Sequence, residues 1–427
     1  MRFIRFLAAT ALLMLLGGCA PVPVSELYSL PKPPDEYVSL QELIDAEISG
    51  GSEYASPVRG SHRQSVQLYD LNSSGQDEAL AFFRTAEGAL KIVIYQSDAG
   101  VYTPACTISG EGSAIGRIEY ADMDGDGTAE LIAAWQMDGG ITMLNVYSLR
   151  LWSGSVLLTA DCSGWTCDDL DRDGNQELLA LHCEPGAQGS LELYSLKGDG
   201  SVVSSSAQLS RGFDIAARMT AGNLSTGERA LFVEGSYMDS HTITDVFISD
   251  GGEIRNITAR QTGISPTTRS YAVYSDDING DGVTELPSTR LLGTGDGAEY
   301  WAFDWHQVSA DGRLTETLST FHCYADGWYL ELDGFGSRQL SICREDFSAG
   351  KCIVISAVDG DTLTPLAAVY TLTGENRHER AVQGGRIVLT EDSTAVYAMR
   401  LLSDELSADA IKESFHLIRS EWISPVL

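Results

Sequence analysis

An internal repeat of about 52 residues is the feature that most constrains the fold of this chain. In each copy, an acidic, glycine-containing segment lies between two apolar stretches rich in strand-forming residues. A fixed period of this length is typical of arrays in which every unit is one supersecondary motif. The copies begin at Asp70, Asp122, Asp169, Gly222, Asp277 and Glu331, and one further step leads to Gly384-Gly385. The sequence therefore predicts seven similar units.

Each unit has room for four short strands. In the second unit, β-branched and aromatic residues predict strands over residues 115–121, 129–136, 141–149 and 154–160, separated by clusters of Gly, Asp and Ser. Sustained helical periodicity is limited to a short stretch at residues 407–415. Units of four strands repeated around an axis form a β-propeller. We therefore predict an all-β fold, a seven-bladed β-propeller of four-stranded blades over residues 61–427.

The first residues have the features of an export signal. Arg2 and Arg5 precede an apolar run at residues 6–16, which is too short to span a bilayer. Gly17, Gly18 and Cys19 follow, and this stretch resembles the lipobox of bacterial lipoproteins, in which the cysteine is acylated. We predict a signal peptide at residues 1–18 and a lipid on Cys19. The alternative is an ordinary cleaved signal peptide with an incidental cysteine.

Residues 19–60 are predicted to form a tether between the lipid and the domain. Five prolines lie between residues 21 and 34, and they favour an extended spacer. Apolar residues recur over residues 38–48, where the chain forms either a short amphipathic helix that packs on the domain or a further part of the tether. Both alternatives remain open at the level of sequence.

The formal net charge of the chain is −32. Such an acidic surface repels nucleic acid and anionic lipid headgroups, and it favours cations or basic partners. We therefore expect no nucleic-acid partner and no membrane contact except through the lipid. The predicted location is the extracytoplasmic face of the cell membrane, and the predicted oligomeric state is a monomer.

Seven cysteines follow Cys19, and an odd number leaves at least one thiol unpaired. Their spacings fit no zinc site. The first predicted disulfide joins Cys343 and Cys352 across a hairpin turn, and the second joins Cys162 and Cys183 on either side of an acidic loop. The alternative for every cysteine is a buried free thiol.

The acidic loops have the pattern of a calcium site. Oxygen-bearing side chains occupy positions 1, 3, 5 and 9, glycine at position 6 allows the turn, and a backbone carbonyl at position 7 completes the set. Without a cation, these clustered carboxylates would repel one another. The predicted ligands, with the position-7 residue fourth in each full set, are Asp122, Asp124, Asp126, Thr128 and Glu130; Asp169, Asp171, Asp173, Asn175 and Glu177; Asp277, Asn279, Asp281, Val283 and Glu285; and, in a diluted copy, Asp70, Asn72, Ser74 and Glu78.

We predict about three structural Ca²⁺ sites in these loops, with the diluted copy left open. The competing interpretation is that Asp- and Gly-rich segments only form polar hairpin turns. The loops at Gly222 and Glu331 lack too many ligands and are predicted to be plain turns.

These loops resemble the calcium loops of integrin-type FG-GAP repeats and of bacterial VCBS-repeat proteins. The resemblance extends over the propeller region and is specific at three loops. The Phe-Gly-Gly-Ala-Pro element is absent, which favours the VCBS-like branch, and the last ligand is Glu where integrin-type loops usually have Asp. The resemblance implies that calcium serves a structural role and that a propeller face binds a partner.

The sequence contains no recognisable catalytic motif. We therefore predict a non-enzymatic surface lipoprotein that recognises an unidentified protein or glycan. The alternatives are an accessory docking lipoprotein of an envelope assembly or export complex, and an enzyme acting on polysaccharide. The densest aromatic group is predicted to be core, with a platform for a sugar or peptide as the alternative; it comprises Tyr300, Trp301, Trp305, Tyr324, Trp328 and Tyr329.

Overall fold

The computed structural model describes residues 37–184, 186–238, 241–259, 265–294, 297–347 and 350–418. The signal peptide, Cys19 and the prolines of the tether lie outside the described residues. Within the described ranges the chain is all-β, with six sheets and three short α-helices. No helix in this part of the chain is long and apolar enough to cross a membrane. The chain divides into two compact units, residues 1–56 with 64–110 and residues 57–63 with 111–427.

The first unit consists of one helix and one sheet. Helix α1 (Val38–Ser49) buries Leu40 and Ile44 in a cluster with side chains of the sheet, which resolves the open alternative in favour of a packed helix. Because β1 also pairs with β3, residues assigned to the tether on sequence grounds pack or pair within this unit. Sheet 1 contains β1 (Glu53–Tyr54), β2 (Val66–Tyr69), β3 (Glu78–Arg84), β4 (Leu90–Asp98) and β5 (Val101–Gly110).

The second unit begins with three four-stranded antiparallel meanders. Sheet 2 contains β6 (Ala114–Ala121), β7 (Glu130–Gln136), β8 (Thr142–Ser148) and β9 (Ser155–Cys162). Its strands match the four predicted for the second unit of the repeat to within two residues at each end. Sheet 3 contains β10 (Gly164–Asp168), β11 (Glu177–His182), β12 (Ser190–Leu196) and β13 (Val202–Gln208), and sheet 4 contains β14 (Ile215–Asn223), β15 (Arg229–Tyr237), β16 (His241–Asp250) and β17 (Glu253–Asn256).

The last two sheets of the second unit are larger. Sheet 5 contains β18 (Glu285–Leu291), β20 (Trp301–Val308), β21 (Leu314–Cys323), β22 (Trp328–Glu331) and β28 (Phe415–Leu417). Sheet 6 contains β19 (Gly293–Thr294), β23 (Leu340–Phe347), β24 (Gly350–Asp359), β25 (Thr362–Thr373), β26 (Ile387–Glu391) and β27 (Ala395–Leu401). Two short helices, α2 (Arg377–Ala381) and α3 (Ala408–Glu413), lie near its last strands in sequence.

The described residues form six sheets where the repeat predicts seven. The hairpin predicted to start a seventh unit at Gly384-Gly385 instead extends sheet 6, because β27 pairs with β25 from Thr373–Ala395 to Ala367–Leu401. The last strand of the described residues, β28, pairs with β22 and enlarges sheet 5. Helix α3 confirms the helical stretch predicted at residues 407–415, and the Ser407 hydroxyl accepts a hydrogen bond from the Ala410 N–H at its start.

Consecutive sheets of the second unit pack face to face. On β11, Leu178 and Ala180 lie in a hydrophobic cluster with sheet 2, whereas Leu179 and Leu181 lie in another with sheet 4. This alternation follows the two-residue period of a strand whose faces are both buried. Similar clusters join sheet 4 to sheet 5 and sheet 5 to sheet 6. The acidic loops at residues 122–130 and 169–177 connect the first two strands of sheets 2 and 3, so these packed strands hold them in place, and the loop at residues 277–285 leads into β18, the first strand of sheet 5.

Candidate metal centres in the acidic loops

Loop 3 (residues 169–177) brings four carboxylates together between β10 and β11. One oxygen from each of Asp169, Asp171, Asp173 and Glu177 lies within 4.8 Å of all the others. Glu177 is the first residue of β11 and is buried, and its Oε2 accepts a hydrogen bond from the Leu170 N–H (2.9 Å). A group of hard oxygen ligands at this spacing suits a divalent cation of the calcium type.

Backbone N–H groups orient the aspartates of loop 3. Asp169 accepts hydrogen bonds from the N–H groups of Asp173 (3.1 Å) and Gly174 (3.0 Å), and Asp173 Oδ1 accepts one from Asn175 (2.8 Å). The left-handed φ of +98° at Gly174 permits this turn. The Asn175 N–H, at the predicted carbonyl position, thus fixes the side chain of Asp173. These contacts orient the carboxylates before any cation binds.

Loop 2 (residues 122–130) has the same frame with one difference. Asp122, Asp124 and Glu130 come within 4.8 Å of one another, but Asp126 is not part of this group. Asp126 accepts from the N–H of Thr128 (2.7 Å) and lies 3.7 Å from Arg150 Nε. The sequence pattern assigned Asp126 the same role as its counterpart in loop 3. The pattern could not show the arginine, which lies in the turn between the last two strands of the sheet.

Loop 5 (residues 277–285) replaces part of the carboxylate repulsion with amide hydrogen bonds. Asn279 Nδ2 donates to Asp281 Oδ2 and Glu285 Oε1, each at 3.1 Å. Gln307 Nε2 donates to the same two oxygens, at 2.8 and 2.9 Å. Asp277 accepts from the Gly282 N–H (2.8 Å), and Val283, at the carbonyl position, donates its N–H to Asp281 (2.8 Å). Amide hydrogens therefore face the oxygens that a cation would need.

Loop 1 (residues 70–78), in the first unit, is similar to loop 5. Asn72 Nδ2 donates to Glu78 Oε1 (3.1 Å), and Asp70 Oδ2 accepts from the Gly75 N–H (2.8 Å). Ser74 Oγ is 3.4 Å from the carbonyl of Gln76. Only two of the four predicted ligands of loop 1, Asp70 and Glu78, are carboxylates, and the Asn72 amide already contacts Glu78.

The glutamates at position 9 of loops 2, 3 and 5 have strongly raised pKa values. Glu130, Glu177 and Glu285 are each at most 3% exposed, and burial raises the pKa of each to about 7. The neighbouring aspartates raise these pKa values further, while the N–H bond to each glutamate lowers them. A bound cation would neutralise this excess of negative charge and would favour the ionised glutamates.

The two loops that the sequence predicts to be plain turns, at Gly222 and Glu331, differ in their contacts. Asn223, in loop 4 (residues 222–230), accepts from Arg172 of loop 3 (2.9 Å) and donates to the Gly282 carbonyl of loop 5 (2.9 Å). The sequence pattern predicts a plain turn here and gives no signal for Asn223, whose role depends on residues 51 positions before it and 59 positions after it. In loop 6 (residues 331–339), the ring of Phe335 replaces the position-5 acid and is completely buried.

Neither predicted disulfide is present in the structure. Cys352 has a free thiol, and it lies opposite Glu345, while Cys343 lies opposite Val354, so the register makes the two cysteines diagonal neighbours rather than direct partners. Cys162 and Cys183 are free and pack against different hydrophobic clusters. Burial raises the pKa of the thiols of Cys162, Cys183 and Cys352 to about 11 or 12, so they are protonated at neutral pH.

The aromatic group belongs mainly to the core of the second unit. Trp305, Trp328 and Tyr329 are at most 5% exposed, whereas Tyr324 is 39% exposed. Trp305, Tyr324 and Tyr329 surround His322, whose ring packs on Tyr329 at 5.1 Å and whose pKa is lowered by burial to about 3. The buried rings favour the core interpretation over the binding platform.

Comparisons with known proteins identify no family. No protein-family model matches the chain, and no curated protein matches it. The periplasmic gluconolactonase PpgL of Pseudomonas aeruginosa is similar over 73% of this chain and 87% of its own, with 13% identity and a TM-score of 0.28. AofleA of Arthrobotrys oligospora is similar over 75% of this chain and 90% of its own, with 10% identity and a TM-score of 0.20. At these TM-scores, neither similarity supports a conclusion about fold or function.

Proposed function

We propose that this chain is a calcium-stabilised β-propeller lipoprotein that serves in recognition rather than catalysis. The observation that carries the proposal is the pair of carboxylate groups in loops 2 and 3, each assembled on a packed hairpin. The face-to-face packing of consecutive sheets in the second unit supports the propeller component. Recognition is proposed because, among the described residues, the groups of three or more close carboxylates belong to these loops.

Calcium fits the donor set better than magnesium or zinc. The ligands are carboxylates at flexible angles, and no histidine or cysteine of the described residues joins either group. Asp171, Asp173 and Glu177 would supply charge in loop 3, and Asp122, Asp124 and Glu130 would do so in loop 2. Loops 2 and 3 are the tighter sites of this proposal, and loop 5 is a weaker third site because amide hydrogens from Asn279 and Gln307 compete with the cation.

Calorimetric titration of the purified chain with calcium tests this assignment. We expect two tight sites per chain and little heat with magnesium. Asp171→Asn should remove one of the two, because it places an amide beside Glu177, as Asn279 stands beside Glu285. Asp333→Asn is the matched control, since it makes the same chemical change in loop 6, where Phe335 excludes a site. Absence of calcium binding, or equal loss in both variants, would overturn the assignment.

The lipid anchor is the second component of the proposal, and it is supported by Cys19 after the apolar segment at residues 6–16. In cells, the wild-type chain should incorporate labelled fatty acid and sediment with membranes. Cys19→Ala should abolish the label and release the chain from the membrane fraction. A Cys343→Ala variant controls for loss of any cysteine. Continued labelling of the Cys19→Ala variant would contradict the anchor.

A further inference from the structure

A cavity of about 690 Å³, lined by charged, polar and apolar side chains, lies within the second unit, apart from the acidic loops. Its lining includes Arg59, Arg63, Arg117 and Glu119, together with the uncharged polar side chains of Gln136 and Thr142. This volume is in the range of small-molecule sites in proteins. The lining contains three arginines against one glutamate, in a chain whose 60 acidic residues outnumber its 28 lysines and arginines.

Arg59 and Arg63 have no carboxylate partner among the residues that the structure describes. Each is exposed and lines the cavity, and neither forms an ion pair with any residue that the structure describes. The backbone at Arg59 is nonetheless fixed, because its N–H donates to the Gly116 carbonyl at the edge of β6 (2.8 Å). A guanidinium presents five donors in a planar fork that matches the oxygens of a carboxylate or phosphate. Both groups therefore remain available for an anion.

The third arginine forms a fixed wall of the cavity. Arg117 donates to Glu119 Oε1 through Nε (3.0 Å) and Nη2 (2.9 Å), and to the Trp165 carbonyl through Nη1 (3.1 Å). Its guanidinium lies 4.5 Å above the Trp165 ring. The backbone of Gly60 packs closely against the Arg117 side chain, and only glycine fits there because a Cβ at residue 60 would lie 2.9 Å from Arg117 Cγ. The wall is thus rigid, and its own charge is paired.

We propose that this cavity binds a sugar-sized oxyanion, with the anionic group held between Arg59 and Arg63. The amide of Gln136 and the hydroxyls of Thr142 and Thr166 provide partners for ligand hydroxyl groups. Cys162 also lines the cavity, but burial keeps its thiol protonated, and the cavity binds its ligand without covalent chemistry. The inference deepens the recognition role proposed above and rests on it. The anionic group is a carboxylate, as in a sugar acid, or a phosphate, as in a sugar phosphate.

Three probes with one sugar frame test the inference by calorimetry in millimolar calcium: galacturonate, galactose 6-phosphate and galactose. At least one of the two anions should bind, and galactose should bind at least ten-fold more weakly. The anion that binds tighter identifies the group as carboxylate or phosphate. The double variant Arg59→Gln/Arg63→Gln should lower the affinity for that anion by roughly ten-fold or more, since each lost charge-assisted bond costs about that factor.

The matched control is Arg255→Gln/Arg400→Gln, which removes two exposed arginines that do not line the cavity. It changes the net charge equally and should bind as the wild type does. Binding of neither anion, equal binding of galactose, or equal weakening in both double variants would overturn the inference. Retention of the calcium-induced rise in thermal midpoint shows that each variant is folded. Because anion binding and calcium binding are measured separately, failure of one is distinguishable from failure of the other.

Discussion

Removal of calcium should lower the thermal unfolding midpoint of the chain by roughly 5–10 °C. A ligand at about 100 times its dissociation constant stabilises a folded protein by about 2.7 kcal/mol per site. Two sites therefore contribute about 5 kcal/mol, and in a protein of this size each kcal/mol shifts the midpoint by about 1–2 °C or slightly more. Differential scanning fluorimetry in millimolar calcium, magnesium and chelator measures the shift. Equal midpoints in all three conditions would show that the loops are only polar turns.

Exchange of the residue at position 3 gives the sharper version of this experiment. Asp171→Asn gives loop 3 the amide of loop 5, so the chelated protein should become more stable by about 1 kcal/mol while the calcium-induced rise shrinks. Asn279→Asp should do the opposite, because it removes the amide that contacts Glu285. Asp333→Asn should change neither quantity. A loss of stability in chelator on Asp171→Asn would contradict the assigned repulsion.

In chelator, the free energy of unfolding of the protein should fall as the pH rises from 6 to 8. The folded-state pKa of Glu130, Glu177 and Glu285 is about 7, above the ordinary value of 4.5. A raised folded-state pKa contributes stability at low pH that is lost as the pH rises through 7. Between pH 6 and 8 the loss is about 1 kcal/mol per glutamate. Calcium should remove this trend, because it binds the ionised form.

Features of the fold and the site were predictable from the sequence where the contacts that determine them are local in the chain. The strands of the second repeat unit were predictable because alternation of apolar residues and turn-forming Gly and Asp are local signals. The loop frames were predictable for the same reason, since the N–H groups that orient the position-1 aspartates lie within the same loop. The relative calcium affinity of the loops was not predictable, because Gln307 reaches Glu285 from 22 residues away and Arg150 reaches Asp126 from the turn between the last two strands of the sheet.

Pairing between strands was the other limit. The seventh unit could be predicted as a hairpin, but the strand next to it could not, and β27 pairs with β25 rather than starting a new sheet. The same limit applies to the cysteines, because a register shift of two residues would place Cys343 directly opposite Cys352. The arginine-lined cavity could not be predicted from the sequence either. Arg59 and Arg117 are distant in sequence, and they come together because the Arg59 N–H pairs with Gly116 at the edge of β6.

A buried ion pair fixes the segment that leads into loop 5. Arg269 and Glu234 have side chains that are 0% exposed, and Arg269 Nη2 lies 2.9 Å from Glu234 Oε1. Arg269 also donates to Thr244 Oγ1 (2.9 Å), and its backbone pairs with Thr242 on β16. The same glutamate oxygen accepts from the Ser275 N–H (2.9 Å), two residues before loop 5 begins. The pair therefore holds residues 265–275 against sheet 4.

Arg269→Met should destabilise the second unit by about 3–5 kcal/mol, because it leaves Glu234 charged and buried without its cation. Urea unfolding monitored by circular dichroism at pH 7.5 in calcium measures the loss. The double variant Arg269→Met/Glu234→Gln should recover part of it, because no buried charge remains. Arg255→Met, on the exposed face of β17, is the control and should cost less than about 0.5 kcal/mol. With Glu234→Gln measured as the second single variant, a loss in the double variant equal to the sum of the two single losses would show that Arg269 acts through packing alone, without coupling to Glu234.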